Sequence, residues 1–218
     1  MKKCINIETS KTGLKIPQID NIYLHSTLDP IKEAEAFAKT QIKRIEHANN
    51  VIILGLGFGY HVKELQKLAT ASNLKIKFAV IEPNTQLVDL YLQQIDSTPN
   101  FDIISNQDVV ALYQERSFFE ILKHKPIIIS HNNSFNANKN FFTSLLSYRA
   151  SQQVLDYADR VEDQNFKTYL QSVAGESDTI ENILDRITQS RKISTNDKLL
   201  LAFSQITGRQ SRTTGVSQ

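Results

Sequence analysis

Three glycines alternate at Gly55, Gly57 and Gly59, directly after the apolar run Val51-Ile52-Ile53-Leu54. Glycine at a strand end admits positive φ and lets a ligand approach the backbone. A helix that follows such a turn points its first amide N–H groups at whatever sits above it, and anions bind there. Tyr60 and His61 come next, and residues 61–74 read as one helix. A second apolar run, Phe78-Ala79-Val80-Ile81, ends in Glu82-Pro83-Asn84. An acid at that place accepts hydrogen bonds from ribose hydroxyls. Strand, glycine turn, helix, strand and acid, in that order, hold the phosphate and ribose end of a nucleotide in α/β proteins. The candidate ligand-binding residues are therefore Gly55, Gly57, Gly59, Tyr60, His61, Glu82 and Asn84, with Asp108 placed to reach the base of the same ligand. Six of them have a plainer reading beside this one. The glycines can be a tight turn without a ligand, His61 and Glu82 can be solvated, and Asp108 can be the N-cap of a helix beginning at Val109.

The Gly-x-Gly-x-Gly spacing departs from the dinucleotide fingerprint, whose last glycine comes three residues after the second. It is closer to that of S-adenosylmethionine-dependent methyltransferases. Those carry an acid just before the glycines, where this chain has Ile52, Ile53 and Leu54. His131-Asn132-Asn133-Ser134 lies at the end of a fourth strand, where substrates meet such a ligand. It lacks the Asn/Asp-Pro-Pro-aromatic pattern of methyltransferases acting on amino groups. His25 on a short strand reads as structural. No two histidines stand at His-x-x-x-His spacing, so no metal site is predicted. Neither a Gly-x-Ser-x-Gly elbow nor a Gly-Lys-Ser/Thr phosphate loop is present. No residue is assigned a catalytic role.

The elements that position these groups follow from periodicity. The first 28 residues read as short strands and turns, with a strand at Cys4–Thr9, a turn at Thr12-Gly13 and a strand at Ile22–His25. Asp29-Pro30 is a helix start, with Asp as N-cap and Pro at the first helical position. Ile31, Ala34, Phe37, Ala38, Ile42 and Ile45 mark one face of that helix, which ends near His47. Helices are then expected over 87–95 and 109–122, and strands over 101–105 and 126–130. Strands alternating with helices predict a parallel sheet whose binding loops collect at the carboxyl ends. From Asn140 the pattern is helical throughout. One long helix is expected as far as Val173, then one on Ile180, Ile183, Leu184 and Ile187. A last helix on Leu199, Leu200, Phe203 and Ile206 stops at Gly208.

The expected architecture is α/β, a Rossmann-like (methyltransferase-like) parallel sheet with a helical C-terminal extension. Its divisions are residues 1–139 as the nucleotide-binding domain, 140–208 as the extension, and 209–218 as a disordered tail. The 218 residues are enough to bury a proper core. A net charge of +2 gives no electrostatic case for nucleic acid or a membrane surface. Cys4 is the only cysteine, so an intrachain disulfide or cysteine-rich zinc site is excluded. The basic start Met1-Lys2-Lys3 is followed by Asn6, Glu8 and Ser10 rather than an apolar stretch, which predicts a cytoplasmic protein without a secretion signal.

Tyr23-Leu24-His25-Ser26-Thr27-Leu28-Asp29-Pro30-Ile31-Lys32-Glu33-Ala34-Glu35, Leu54 to His61, and Ile81-Glu82-Pro83-Asn84 together carry a family resemblance. In that order they resemble the amino-terminal domain of bacterial motility accessory factors, large glycosyltransferases associated with flagellin glycosylation. Those share sequence character with 6-hydroxymethylpterin diphosphokinase-like proteins. The resemblance covers residues 20–135. It implies a Rossmann-like fold and a nucleotide or nucleotide-sugar ligand, in a chain shorter than the family's usual length. Three readings stand: a reduced transferase component binding a nucleotide-type ligand, an S-adenosylmethionine-dependent methyltransferase, and a non-catalytic interaction module with a vestigial pocket. In the last, the C-terminal helices bind a protein partner or form a homodimer.

Overall fold

The structure is a computed structural model that describes residues 4–94, 98–149, 153–159, 161–175 and 178–212, without side chains at 203 and 205–212. Met1 to Lys3, Ile95, the side chains of Phe203 and Ile206, and residues 213–218 of the expected tail lie outside the described residues. The chain divides into two units, Met1–Tyr148 and Arg149–Gln218.

The first unit begins with a small antiparallel sheet of β1 (Ile5–Thr9), β2 (Lys15–Ile19) and β3 (Ile22–Tyr23), in that spatial order. Asp20 and Asn21 both have positive φ, 48° and 67°. That is the two-residue hairpin conformation whose twist matches the flanking strands, and Asp and Asn tolerate it. β2 is the strand that periodicity did not reveal, because Pro17 interrupts its pattern. α1 (Pro30–Ile45) follows, capped by Asp29, whose carboxylate accepts the amides of Ile31 and Lys32.

The main sheet holds β4 (Asn50–Leu54), β5 (Lys77–Ile81), β6 (Asp102–Ile104) and β7 (Ile127–Ser130), all parallel, in the order β6-β5-β4-β7. The chain steps outward from β4 to β5 to β6 and then returns to the far side of β4. The order reverses there, and ligands in such folds bind outside the carboxyl ends near that reversal. α2 (Tyr60–Ala71) and α3 (Thr85–Leu92) connect the first three strands. α4 (Val109–Gln114) and α5 (Arg116–Lys123) replace the single helix expected over 109–122. The break is Glu115, extended at ψ 124°.

Alternation along β4 explains why its run is unbroken in apolar character. Val51 and Ile53 join the core with Ala38, Ile45, Val62 and Leu65 from α1 and α2. Ile52 and Leu54 join a second core with Leu112, Phe118, Phe142 and Leu145. Both faces of the sheet are covered, so neither side of the strand has a polar alternation. Each such buried Val, Ile, Leu or Phe side chain stabilises the fold by roughly 1.5–3 kcal/mol relative to exposure.

α6 (Asn132–Ala137) begins one residue after His131, at the end of β7, and α7 (Lys139–Ser147) follows it. Because Phe142 and Leu145 are in the second core, α7 belongs to the first unit, and the boundary falls at Tyr148 rather than Asn140. Tyr148 has ψ 133°, which ends the helix. The long helix expected over 140–173 is therefore three: α7, α8 (Val154–Ala158) and α9 (Gln164–Val173). α9 has its own N-cap, Asp163, accepting the Phe166 amide at 2.7 Å.

α8 and α9 open the second unit, which continues with α10 (Ile180–Gln189) and α11 (Thr195–Arg212). α11 continues past Gly208, where a stop was expected. The second unit has its own core of Val154, Ala158, Leu170, Ile183, Ile187 and Leu200. The apolar stripe of α10 is thus spent on that core. Among the described residues no helix is long and apolar enough to cross a membrane.

Candidate functional site

β4 leaves the sheet into the glycine turn, where Gly55 has φ +98° and Gly57 has φ +52°. What approaches these glycines is the protein itself. A Cβ on Gly55 would stand 2.1 Å from the Cβ of Ser134, and one on Gly57 would stand 2.4 Å from Nε2 of His25. The turn therefore needs glycine for its φ values and for its own packing.

Two of the turn's amides are engaged in the same way. Leu56 donates its N–H to Oε2 of Glu82 at 3.0 Å, and Phe58 donates its N–H to Nε2 of His25 at 2.8 Å. Oε1 of Glu82 accepts the Asn84 amide at 3.1 Å. Glu82 is fully buried and straps the end of β5 to the turn. A carboxylate on these amides takes the place that a phosphate would need.

The other predicted residues divide by role. Tyr60 donates its hydroxyl to the carbonyl of Lys15 at 2.7 Å, tying α2 to β2. Asn84 caps α3 by accepting the Leu87 amide at 3.3 Å. Asp108 caps α4, accepting the amides of Val110 at 2.7 Å and Ala111 at 3.0 Å. His61 is buried rather than solvated, and its Nε2 donates to the carbonyl of Gly55 at 3.0 Å.

At the carboxyl edge of the main sheet, beyond β5 and β6, lies a cleft of about 850 Å³. Carboxamides dominate its wall: Asn84, Gln86, Gln107, Asn136, Asn138 and Asn140. Lys139 is the one charged residue among its described lining. Carboxamides donate and accept together, which suits base edges and hydroxyls. Of the predicted residues the cleft includes Asn84. Gln107 and the alternating run Asn136-Ala137-Asn138-Lys139-Asn140 are not among the predicted residues, although the alternation is a readable signal in the sequence.

A second constellation was not foreseen. His25, His61 and His131 are all buried, and one ring nitrogen of each lies within 4.8 Å of the others. The rings of His61 and His131 stack, with centroids 4.0 Å apart and 7° between planes. His25 stands 5.1 Å from His131 and 5.7 Å from His61. Phe37 meets His61 and His131 edge-on. The register of β4 with β7 brings two of them together: Leu54 pairs with Ser130, and the His131 amide donates to the Leu54 carbonyl at 3.0 Å. His25 is held by the loop before α1, where the Ser26 amide donates to Glu33 at 2.7 Å.

Burial holds all three imidazoles below the usual histidine range. It is the main cause for His25, with His131 adding repulsion. For His61 burial is joined by repulsion from His131 and His25, against the pull of the Gly55 carbonyl. His131 is lowered to about 4 by burial. At neutral pH all three are uncharged, so the 3.8 Å approach of His25 Nδ1 to Glu33 is not an ion pair. Burial also raises the Glu33 carboxyl, against the opposing Ser26 amide. Neutral imidazole is the form that takes up a proton or a metal ion. A small pocket of about 220 Å³ opens over His61 and His131, with Glu33, Phe37, Asn132 and Asn133 on its wall.

No protein-family model matches the sequence, and no curated protein matches it significantly. Among solved structures, the chain is similar to MnmC2 from Aquifex aeolicus at 12% identity and a TM-score of 0.42, covering 70% of this chain and 58% of that one. It is similar to a spermidine synthase in complex with the transition-state analogue AdoDATO at 11% identity and a TM-score of 0.40, covering 64% of this chain and 61% of that one. The chain thus spans about three fifths of each. At these values neither likeness bears on the ligand.

Proposed function

We propose that the first unit binds a nucleoside-type small molecule of the S-adenosylmethionine class in the carboxamide-lined cleft, and that the chain is methyltransferase-like. The supporting observation is the strap between Glu82 and the Leu56 amide. With His25 on the Phe58 amide as well, two of the glycine turn's amides are already taken and are not offered to a diphosphate. A ligand without phosphates does not need them. The cleft lies at the carboxyl edge of the parallel sheet, where such folds bind ligands. Its volume is within the roughly 300–1,000 Å³ of small-molecule sites.

A second reading rests on Lys139, a cation on the cleft wall that a phosphate would meet. Together with the sequence resemblance to motility accessory factors, it supports a nucleotide-sugar-binding module.

Isothermal titration with S-adenosylhomocysteine, S-adenosylmethionine, and UDP- and CMP-sugars separates these readings. The expected result is binding of S-adenosylhomocysteine that weakens at least about tenfold, or 1.4 kcal/mol, when Gln107→Trp fills the cleft. Binding of a nucleotide sugar alone, lost with Lys139→Glu, would replace the first reading by the second. No binding by any of the four would overturn both.

A further inference from the structure

We propose that His61 and His131 ligate one transition-metal ion of the zinc class, with the Glu33 carboxylate completing the site from the small pocket and His25 orienting that carboxylate. This site is separate from the carboxamide cleft and stands independently of the reading given for it.

The observation that carries the proposal is an unused lone pair. Nδ1 of His61 is buried and has no hydrogen-bond partner, while its Nε2 donates to the Gly55 carbonyl. A buried acceptor left unpaired is costly. Donation by one ring nitrogen to a backbone carbonyl, with the lone pair of the other aimed inward, is how metal-binding histidines are anchored. His131 is anchored likewise: its Nδ1 pairs with Oγ of Ser134 at 2.8 Å, and donation there leaves Nε2 as the ligand atom. His25 differs. Its Nε2 already accepts the Phe58 amide, so its Nδ1 carries the proton and faces Glu33 Oε2 at 3.8 Å. That is longer than a hydrogen bond, and His25 acts as an outer-shell partner when the carboxylate closes that gap on taking the ion.

Imidazole with carboxylate suits zinc, cobalt, nickel, copper and iron rather than magnesium or calcium. Two imidazole nitrogens on zinc stand roughly 3.3 Å apart, given Zn–N bonds of about 2.05 Å. In the stacked arrangement the lone pairs of His61 and His131 lie in two near-parallel planes, so a shared ion requires one ring to turn. His131 is that ring. It follows a strand end, lines the pocket and is held at Nδ1 by a serine hydroxyl, which rotates. His61 is fixed on α2 against the Gly55 carbonyl. The pocket leaves room beside the ion for water or a small ligand, as an open zinc site does.

The test is titration of the chelator-treated full chain with Co²⁺, followed by its visible absorption, and with Zn²⁺, followed by metal content after dialysis. The expected result is one equivalent of either ion, with affinity falling at least about a hundredfold in His61→Asn/His131→Asn and at least about tenfold in Glu33→Gln, since even outer-shell partners of a metal site contribute about 10–100-fold. A stoichiometry far below one, or equal binding by the double variant, overturns the proposal. Should the double variant fail to fold, imidazole NMR of the unaltered chain decides. Paramagnetic shifts of the His61 and His131 signals on adding Co²⁺ support the site. Unshifted signals mean a hydrogen-bonded histidine cluster only, and overturn it.

Discussion

Glu82 and Leu56 are joined across the top of the sheet, the buried carboxylate accepting the turn's amide at 3.0 Å. The strand-end acid and the glycine turn are thus bound to each other. Glu82→Ala leaves the amides of Leu56 and Asn84 without their acceptor. A loss of roughly 2–4 kcal/mol is expected, since hydrogen bonds to charged groups contribute about 1.5–3 kcal/mol each. Urea unfolding measures it, and a change under about 0.5 kcal/mol would show that the strap is not structural.

Gly57→Ala and Gly13→Ala separate packing from backbone strain. Both glycines have positive φ, +52° and +82°, but a Cβ at Gly57 meets His25 while one at Gly13 meets nothing within 4 Å. Gly13→Ala is expected to cost about 1–2 kcal/mol, the left-handed penalty alone. Gly57→Ala adds overpacking of about 1–3 kcal/mol. Equal losses in the two variants would contradict the close approach of His25.

Asp108→Ala tests whether this residue serves the helix or a ligand. As the cap of α4 it accepts two amides. Stability should fall by about 1 kcal/mol, with affinity for any cleft ligand within about twofold. A large loss of affinity at unchanged stability would give Asp108 the base-binding role instead.

Acid should weaken the metal-free fold through its histidines. Burial lowers His131 to about 4, against about 6.5 for a free imidazole, and lowers His25 and His61 as well. Between those pH values the unfolded chain binds more protons than the native one, so stability falls as pH falls. The contribution is fully present above about pH 6.5 and is lost on descending towards pH 4. For His131 alone it amounts to about 3 kcal/mol. Urea unfolding in EDTA at pH 7, 5.5 and 4.5 gives the slope, and His131→Gln should flatten it. A stability independent of pH over this range would contradict neutral burial.

What the sequence determined by itself is local. Asp29-Pro30 starts α1 because a cap acts within a turn. The run Val51 to Leu54 is a two-sided buried strand because a parallel sheet covers both faces. Tertiary structure decided whatever depends on partners distant in the chain. Asn132 to Ala137 is poor in helix formers, yet it is helical where Ser134 packs on Gly55. Residues 140–173 keep one apolar rhythm, yet α7 ends at Tyr148 with its last core contact at Leu145, and α9 starts from its own Asp163 cap. His25, His61 and His131 stand on three separate connections, and no spacing joins them. The register of β4 on β7 and the loop before α1 bring them together. Side-chain periodicity reports which face of an element is buried, and it carries no information about which distant element buries it.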